Sequence, residues 1–494
     1  MLQELRTRPK QGVIDQKMFI DGKYVDAASG ETFESRNPST NEVIAKVAKG
    51  DASDVDRAVR AARKAFDEGP WPKMPVAERS AILMKVGAGI RKRLDELSEL
   101  ESMDQGKPIR ESSHLDVPRS AYNFEFFAEY IKTLSSEANP VDDKFVNYTL
   151  REPVGVIAAI SPWNFPLLLM TWKLGPALAC GNAIVAKPAS YTPLTTAALG
   201  EIMNEAGVPP GVFNVVLGPG GTVGNSLVGH KLVDRVSFTG ETVTGATITA
   251  EAAKTLKDVS MELGGKAAAI VFADCDLELT IAQTIRAAYL NQGEVCLAMP
   301  RLLVERPIYD EFCSRFQKAA EALVLGDPLD HDTTMGPLVD RTHFKTVTDY
   351  IEIGKREGAK VLFGGEKPQL PAPFADGNFL KPTALVDVNQ KMRICQEEIF
   401  GPVVTIAPFD TESEAVAIAN DVKYGLAGTV FTTNLSKAHR VARNVRAGLM
   451  WVNCWFVRDL RTPFGGMKES GIGREGGVRS IEFYSEIKNV CIAL

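Results

Sequence analysis

The sequence predicts an α/β fold of two domains, and three observations carry that reading. At 494 residues the chain is too long for one ordinary core. Short β-branched runs that close with Gly, Pro or Ser alternate with amphipathic helical stretches, the pattern of a parallel sheet. That alternation runs through two separate series, which meet near Glu262.

The elements follow in chain order. DASDVDRAVRAARKAFDEG opens on an Asp/Ser cap signal, carries apolar residues at helical spacing and ends in Gly. AERSAILMKVGAGIRKRLDELSELES is expected to be one amphipathic helix. The runs GVIAAIS, NAIVAKP, FNVVLG and RVSFTG are expected strands, separated by helical stretches such as TPLTTAALGEIMNEAG. The uncharged stretch Val154 to Trp172 (VGVIAAISPWNFPLLLMTW) is long enough to suggest a membrane span. Two prolines, an Asn and a Ser interrupt it, and charges lie close on both sides. A buried strand, a turn and the start of a helix fit better. The second series is AAAIVFAD, RLLVERP, AKVLFGG, FLKPTALVDV, VVTIAPF, GLAGTVFTT and GLMWVN. KFVNYTLRE (144–152) and the C-terminal EIKNVCIAL stand outside both series as strands that need a pairing partner, in this chain or in a neighbour. Oligomerisation is therefore expected.

Composition narrows the function. With 45% hydrophobic and 24% charged residues the balance is that of a soluble globular protein. A net charge of −6 gives no footprint for nucleic acid. Seven cysteines without a CxxC pair are not a disulfide framework, and the N-terminal MLQELRTRPKQGVIDQK has no apolar core of a signal peptide. A reducing cytoplasm is the expectation. The five histidines are scattered and no HExxH is present, so a metal site is not expected.

One cysteine raises a chemical question. Cys296 lies in NQGEVCLAMP between Gly293 and Pro300. Free cysteine is most often a buried apolar filler. As a nucleophile it would need a base, a partner for developing negative charge and an acceptor for the next electrons. MELGGK offers Glu262 beside a glycine pair, and SPWNFP offers Asn164 in a proline-bracketed turn. The Gly-rich turns GPGGTVG (218–224) and FTGETVTG (238–245) offer backbone NH groups at expected helix starts, as phosphate sites need, although neither matches GxGxxG. Each signal alone is weak; their joint order along one chain is not.

That joint pattern resembles the aldehyde dehydrogenase superfamily over essentially the whole length. The motifs are SPWNFP, KPAS, FTGETVTG, MELGGK, NQGEVC, QEEIFGPV and RTPFGGMKESGIGRE. The resemblance implies a Rossmann-like NAD(P)-binding domain (1–130 and 154–261) and an α/β catalytic domain (262–465). A small β oligomerisation element (131–153 and 466–494) would complete a homodimer or homotetramer. It implies that Cys296 attacks the aldehyde carbonyl, and that Asn164 and the Cys296 backbone NH form the oxyanion hole. Hydride leaves to the nicotinamide, and Glu262 activates the water that hydrolyses the thioester. Lys173 and Glu475 match positions that assist proton movement. Lys187 matches the adenosine-ribose contact, Glu398 the nicotinamide-ribose contact, Phe400 a wall against the cofactor and Gly240 the phosphate-approach glycine. Ser161, Trp163, Ser190, Gly220, Phe238, Thr239, Glu241 and Leu263 complete the expected cofactor site.

Two positions depart from the family pattern. Many NAD-specific relatives carry Glu after KPA, where this chain has Ser190. Losing that charge removes repulsion toward a 2′-phosphate, so NADP is expected to be accepted as well as NAD. Glu241 stands where Ser is common after FTG, and its side chain is expected to point away from the pyrophosphate.

DVPRSAYNFEFFAE, PVDDKFVNYTL, NFLKPTALVDV and NCWFVRDLRTPFGG resemble the branch that oxidises muconic-type semialdehydes. It includes 2-hydroxymuconate, 2-aminomuconate and 5-carboxymethyl-2-hydroxymuconate semialdehyde dehydrogenases. Arg119 and Arg458 match that branch's substrate-side arginines, whose planar forks suit carboxylates. Phe165, Trp172 and Phe464 would supply apolar walls. A plainer role for the arginines is ion pairing with Asp116 or Asp459. The enzymatic alternatives are a broad-range, betaine aldehyde or other semialdehyde dehydrogenase. A CoA-acylating enzyme generally lacks the Glu262 equivalent, and a catalytically inactive structural relative would not need Cys296, Asn164 and Glu262 together.

Overall fold

The structure, a computed structural model, describes residues 12–494, so the charged segment 1–11 lies outside the described residues. Two large sheets dominate, with a three-stranded arm beside them.

In the first sheet, Asp258–Glu262, Arg235–Thr239, Val156–Ile160, Ala183–Lys187 and Phe213–Val215 lie side by side in that order, all parallel. Four of them are the buried runs the sequence suggested, near-continuously apolar because helices such as Ala52–Asp67, Pro166–Ala179 and Leu194–Ala206 pack on the sheet, while Asp258–Glu262 was not among those runs. The chain starts at Val156–Ile160, winds outward on one side, then returns to build the other with Arg235–Thr239 and Asp258–Glu262. The order therefore reverses between Val156–Ile160 and Arg235–Thr239, and a crevice opens there at the strands' C-terminal ends. Register places Ile160 beside Lys187 and Thr239 beside Glu262, so the loops that follow emerge along one rim.

The second sheet runs Lys360–Phe363, Thr383–Val386, Val403–Phe409, Arg301–Glu305, Ala268–Val271, Ala427–Phe431, Leu449–Val452, parallel except for the first strand. All seven expected runs became strands. Ala268–Val271, Arg301–Glu305 and Val403–Phe409 are parallel neighbours. The segments that feed them, 262–267, 291–300 and 397–402, are thereby brought together at one sheet edge.

The uncharged stretch 154–172 is the strand Val156–Ile160, a turn and the start of Pro166–Ala179. Among the described residues no helix is long and apolar enough to cross a membrane. The first helix starts at a capping box in which Asp51 accepts from the Ser53 and Asp54 NH groups. The expected single helix over AERSAILMKVGAGIRKRLDELSELES is instead two, Val76–Lys92 and Leu94–Gln105. At the break Arg93 leaves helical geometry, and its guanidinium bonds both Glu201 and Glu205 at 2.8 Å.

Ser485–Ala493 pairs antiparallel with Phe145–Pro153 along its full length, and Ala138–Val141 pairs on the other side. Residues 466–484 are not in this arm. Gly471–Ile472 extends the first sheet beside Met261 and Glu262, and helix Gly477–Phe483 packs on Pro166–Ala179.

Candidate active site

Cys296 sits half-buried beyond a turn in which Asn291, Gln292 and Gly293 are all left-handed (φ 50°, 46° and 75°). Such backbone persists where surroundings over-determine it. Here the Glu111 carboxylate accepts from the Asn291 NH at 3.0 Å, and Asn291 Nδ2 donates to the Asn164 carbonyl at 2.8 Å. The Gln292 amide donates to Glu294 Oε2 at 3.0 Å. Gly293 has a further reason to lack a side chain: a Cβ there would collide with the Gly401 carbonyl.

The glycine pair of MELGGK is explained the same way. A Cβ on Gly264 would fall on the Glu398 carboxylate, and one on Gly265 would lie 2.5 Å from the Cys296 carbonyl oxygen. The Gly265 NH donates to Glu398 Oε1 at 2.8 Å. Burial, with Glu241 adding a like charge, pushes the Glu398 carboxyl up to about 7.

Asn164 is buried just beyond the first strand of the reversal point. Its Nδ2 donates to the Glu294 carbonyl at 2.8 Å, which leaves the second amide hydrogen free. Two donors hold its own carbonyl: Asn291 Nδ2, and Lys107 Nζ at 2.8 Å. Lys107 is wholly buried, ion-paired to buried Asp116, and lies 4.1 Å over the Phe165 ring. Lys107, Asp116 and Glu294 gave no signal in the sequence, because nothing local marks a lysine or acid as buried.

Glu262 ends the strand Asp258–Glu262 and is 4% exposed, with neither carboxylate oxygen hydrogen-bonded. Burial first, then the neighbouring Glu475, holds its carboxyl well above the usual range, against Lys173, Arg458 and Arg474. Glu475 in turn accepts from Lys173 Nζ at 3.1 Å and from the Trp172 indole NH. The Cys296 thiol is pushed up to about 12, first by burial and then by Glu398 and Glu262. At rest it is a thiol, not the few per cent thiolate of a free cysteine. A base within reach is therefore a requirement of any chemistry it performs.

One pocket reaches Cys296. Its lining includes Phe165, Trp172, Phe464 and Phe456, together with Arg119 and Arg458. Phe456, stacked 6.2 Å from Phe165, was not singled out from the sequence. Arg458 lies 4.3 Å over Trp172 and 3.9 Å over Phe464, with Nη2 unbonded. Burial and the nearby Arg119 lower it to about 10. The ion pairs considered for these arginines do not form. Asp116 belongs to Lys107, and Asp459 to Arg461 at 2.6 Å. Arg119 instead donates to the Arg458 carbonyl at 3.2 Å. Among the described residues, neither arginine has a carboxylate at ion-pair distance.

The remaining expected residues gather on the rim of the first sheet. Ser161 and Thr239 are buried with unpartnered hydroxyls, a sign that a ligand is to complete their hydrogen bonds. Lys187 ends its strand, and burial lowers its amine to about 8. Ser190 Oγ donates to the Gly218 carbonyl at 2.8 Å. Gly240 cannot carry a side chain without striking Phe238, and Leu263 fills the space beside Gly245. Trp163 and Phe400 meet edge-on at 5.1 Å; the His343 ring lies edge-on to Trp163, and its Nε2 donates to the Phe400 carbonyl at 2.7 Å. Gly220 is exposed, and the turn it opens runs into only a short helix, Asn225–Gly229. Glu241 caps the helix Thr242–Ala253 by position, exposed and without a side-chain capping bond. Among the described residues no cluster of His, Cys, Asp or Glu could hold a metal ion.

The aldehyde dehydrogenase family profile matches residues 24–490. The chain belongs to this family. It is 52% identical over 483 residues to a 2-hydroxymuconic semialdehyde dehydrogenase of Pseudomonas sp. (strain CF600), covering 97% of this chain and 99% of the relative. A 2-aminomuconic 6-semialdehyde dehydrogenase of Pseudomonas sp. is 45% identical over 481 residues, covering 96% and 97%. Among solved structures, the indole-3-acetaldehyde dehydrogenase of P. syringae in complex with NAD+ and IAA superposes with TM-score 0.95 at 43% identity over 98% of each chain. Membership makes the chain an oxidoreductase fold with the α/β architecture that the sequence predicted.

Proposed function

We propose that this family member oxidises a carboxylate-bearing semialdehyde of the muconic type to the acid, with NAD as hydride acceptor. The observation that carries the substrate class is the pair Arg119 and Arg458. Both face the pocket that reaches Cys296, and both lack a protein carboxylate. Keeping two partly buried guanidinium groups this close is unfavourable unless an anion joins them. The names of the 2-hydroxymuconic and 2-aminomuconic relatives agree with that anion being part of a semialdehyde.

In this reading Cys296 adds to the aldehyde carbon while its proton passes to Glu262. The developing oxyanion takes the free Asn164 amide hydrogen and the Cys296 NH. The bound cofactor supplies the hydride acceptor. Its adenosine half would rest on Lys187, Ser190 and the Gly240 turn, and its nicotinamide half on Glu398 and Phe400. Once that first proton has left by way of Glu475 and Lys173, Glu262, unpaired and buried, draws a proton from water to hydrolyse the thioester. Glu475 and Lys173 behind it would carry the proton away. Ser190 carries no charge to repel a 2′-phosphate, so NADP is accepted alongside NAD.

The 138–153 and 485–493 arm exposes Val141, Phe145, Leu150, Ile487 and Ile492. That apolar surface supports its use between copies, as a homodimer or homotetramer. Within the described residues we assign the cofactor domain to 12–130 and 154–261 and the catalytic domain to 262–465. All seven cysteines are free, which supports a reducing cytoplasm.

Steady-state kinetics of Arg458→Ala test the reading. The KM for 2-hydroxymuconic semialdehyde should rise roughly tenfold or more, since charge-assisted hydrogen bonds contribute about 1.5–3 kcal/mol, while that for acetaldehyde stays near wild type. Equal effects on both substrates would refute carboxylate binding.

A further inference from the structure

Asn123 lies one helical turn beyond Arg119 on Val117–Tyr130, and the two line the same pocket as Cys296 and Arg458. It is fully buried, yet only half of its amide is used. Nδ2 donates to Thr171 Oγ1 at 3.0 Å and approaches the Leu168 carbonyl at 3.4 Å. Oδ1 has no hydrogen-bond partner.

The neighbouring bonds fix which way the amide faces. Thr171 spends its hydroxyl hydrogen on the Leu168 carbonyl at 3.0 Å, so only its lone pairs face Asn123. Turning the amide over would set Oδ1 against the Leu168 carbonyl, and Oδ1 could take the Thr171 hydroxyl hydrogen only by breaking its 3.0 Å bond to that carbonyl. The NH2 is therefore committed to the helix Pro166–Ala179, and the carbonyl oxygen is the group left over. The backbone is equally constrained: a Cβ on Gly175 would lie 2.9 Å from the Asn123 carbonyl, so a glycine lets the two helices approach here. A buried acceptor without a donor is costly in an empty pocket. It becomes selective when a ligand supplies the donor, because an analogue lacking that donor leaves the acceptor unpaired.

We propose that Asn123 is a specificity-determining residue whose Oδ1 accepts a hydrogen bond from a hydroxyl or amino group on the substrate. The substrate class is then narrower than a carboxylate-bearing aldehyde: it carries a hydrogen-bond donor between the aldehyde and the carboxylate end. The same neutral acceptor serves O–H and N–H donors, so hydroxy- and amino-substituted semialdehydes are both accommodated. This rests on the proposed carboxylate reading of Arg119 and Arg458.

The test compares kcat/KM for 2-hydroxymuconic semialdehyde with that for the same skeleton bearing hydrogen in place of the hydroxyl. The wild-type enzyme should prefer the hydroxylated substrate by about tenfold, the scale of one hydrogen bond. Asn123→Leu, of similar volume, should bring the ratio to about one. A wild-type ratio near one overturns the proposal without any variant, and so does an unchanged preference in Asn123→Leu. Failure of the underlying carboxylate reading looks different. In that case both semialdehyde acids are poor substrates beside acetaldehyde, and Arg458→Ala affects all three alike.

Discussion

Replacing Lys107 with Met keeps most of the unbranched side chain, one atom shorter, and removes its charge. The consequence can be worked out from its surroundings. Lys107 and Asp116 are both fully buried, and Asp116 Oδ1 already lacks a partner. Without the ammonium, Asp116 is an uncompensated buried carboxyl, and the Asn164 carbonyl loses its 2.8 Å donor. Breaking a buried pair from one side costs about 3–5 kcal/mol. For a chain of 494 residues that is a fall of roughly 3–5 °C in melting temperature. Removing both charges, as in Lys107→Met with Asp116→Leu, should recover at least about 2 kcal/mol of the loss.

The effect also depends on pH. Lys107 pulls down the carboxyls of Glu101, Glu111, Asp116 and Glu294, all of which burial raises, Glu101 to about 7 and Glu111 to about 8. At pH 6 Glu101 and Glu111 are largely protonated and miss the cation less. As pH rises through 7–8 they are driven to ionise without it, so the deficit grows. Thermal melts of wild type, both single variants and the double variant at pH 6 and pH 8.5 provide the measurement. A Lys107→Met protein that melts within a degree of wild type, or a double variant no more stable than the single, would refute the reasoning.

Four further outcomes are expected. Asn164→Ala should lower kcat by a hundredfold to a thousandfold, the effect of losing one oxyanion donor (about 2.7–4 kcal/mol); a loss under tenfold would remove Asn164 from that role. Glu262→Gln should lose the burst of NADH as well as steady turnover, since Glu262 takes the Cys296 proton before it activates water; a full burst followed by a stall, with an acyl adduct on Cys296 in the intact mass, would confine Glu262 to the hydrolytic step. In the wild type the hydrolytic step should rise with pH through the elevated Glu262 pKa, because only the carboxylate acts as base; a kcat flat from pH 5 to 9 would contradict this. Ser190→Glu should abolish turnover with NADP and preserve it with NAD, and equal retention of both cofactors would count against the Ser190 argument.

Much of the fold was legible in the sequence because parallel strands buried on both faces must be apolar and must be separated by crossovers. Both series of runs declare themselves by composition, and the interrupted stretch 154–172 could be parsed from its prolines. The helix break at Arg93 was not legible. It depends on Glu201 and Glu205, more than a hundred residues away.

The candidate site divides along the same line. Cys296, Asn164 and Glu262 stand in motifs whose joint order along the chain is distinctive, so sequence alone could nominate them as candidates. Sequence also placed Arg119 and Arg458 as candidates, but whether they were free or paired was a question of partners, and only the packing assigned Asp116 to Lys107 and Asp459 to Arg461. Tertiary structure alone decided why Gly264, Gly265 and Gly293 are glycines, since the groups they admit come from other loops. It likewise placed Lys107 under Asn164 and left one oxygen of Asn123 unbonded in the pocket wall. The physical reason is common to all of these. A residue's chemical type is written in the chain, whereas its burial and its hydrogen-bond partners are properties of segments that meet only after folding.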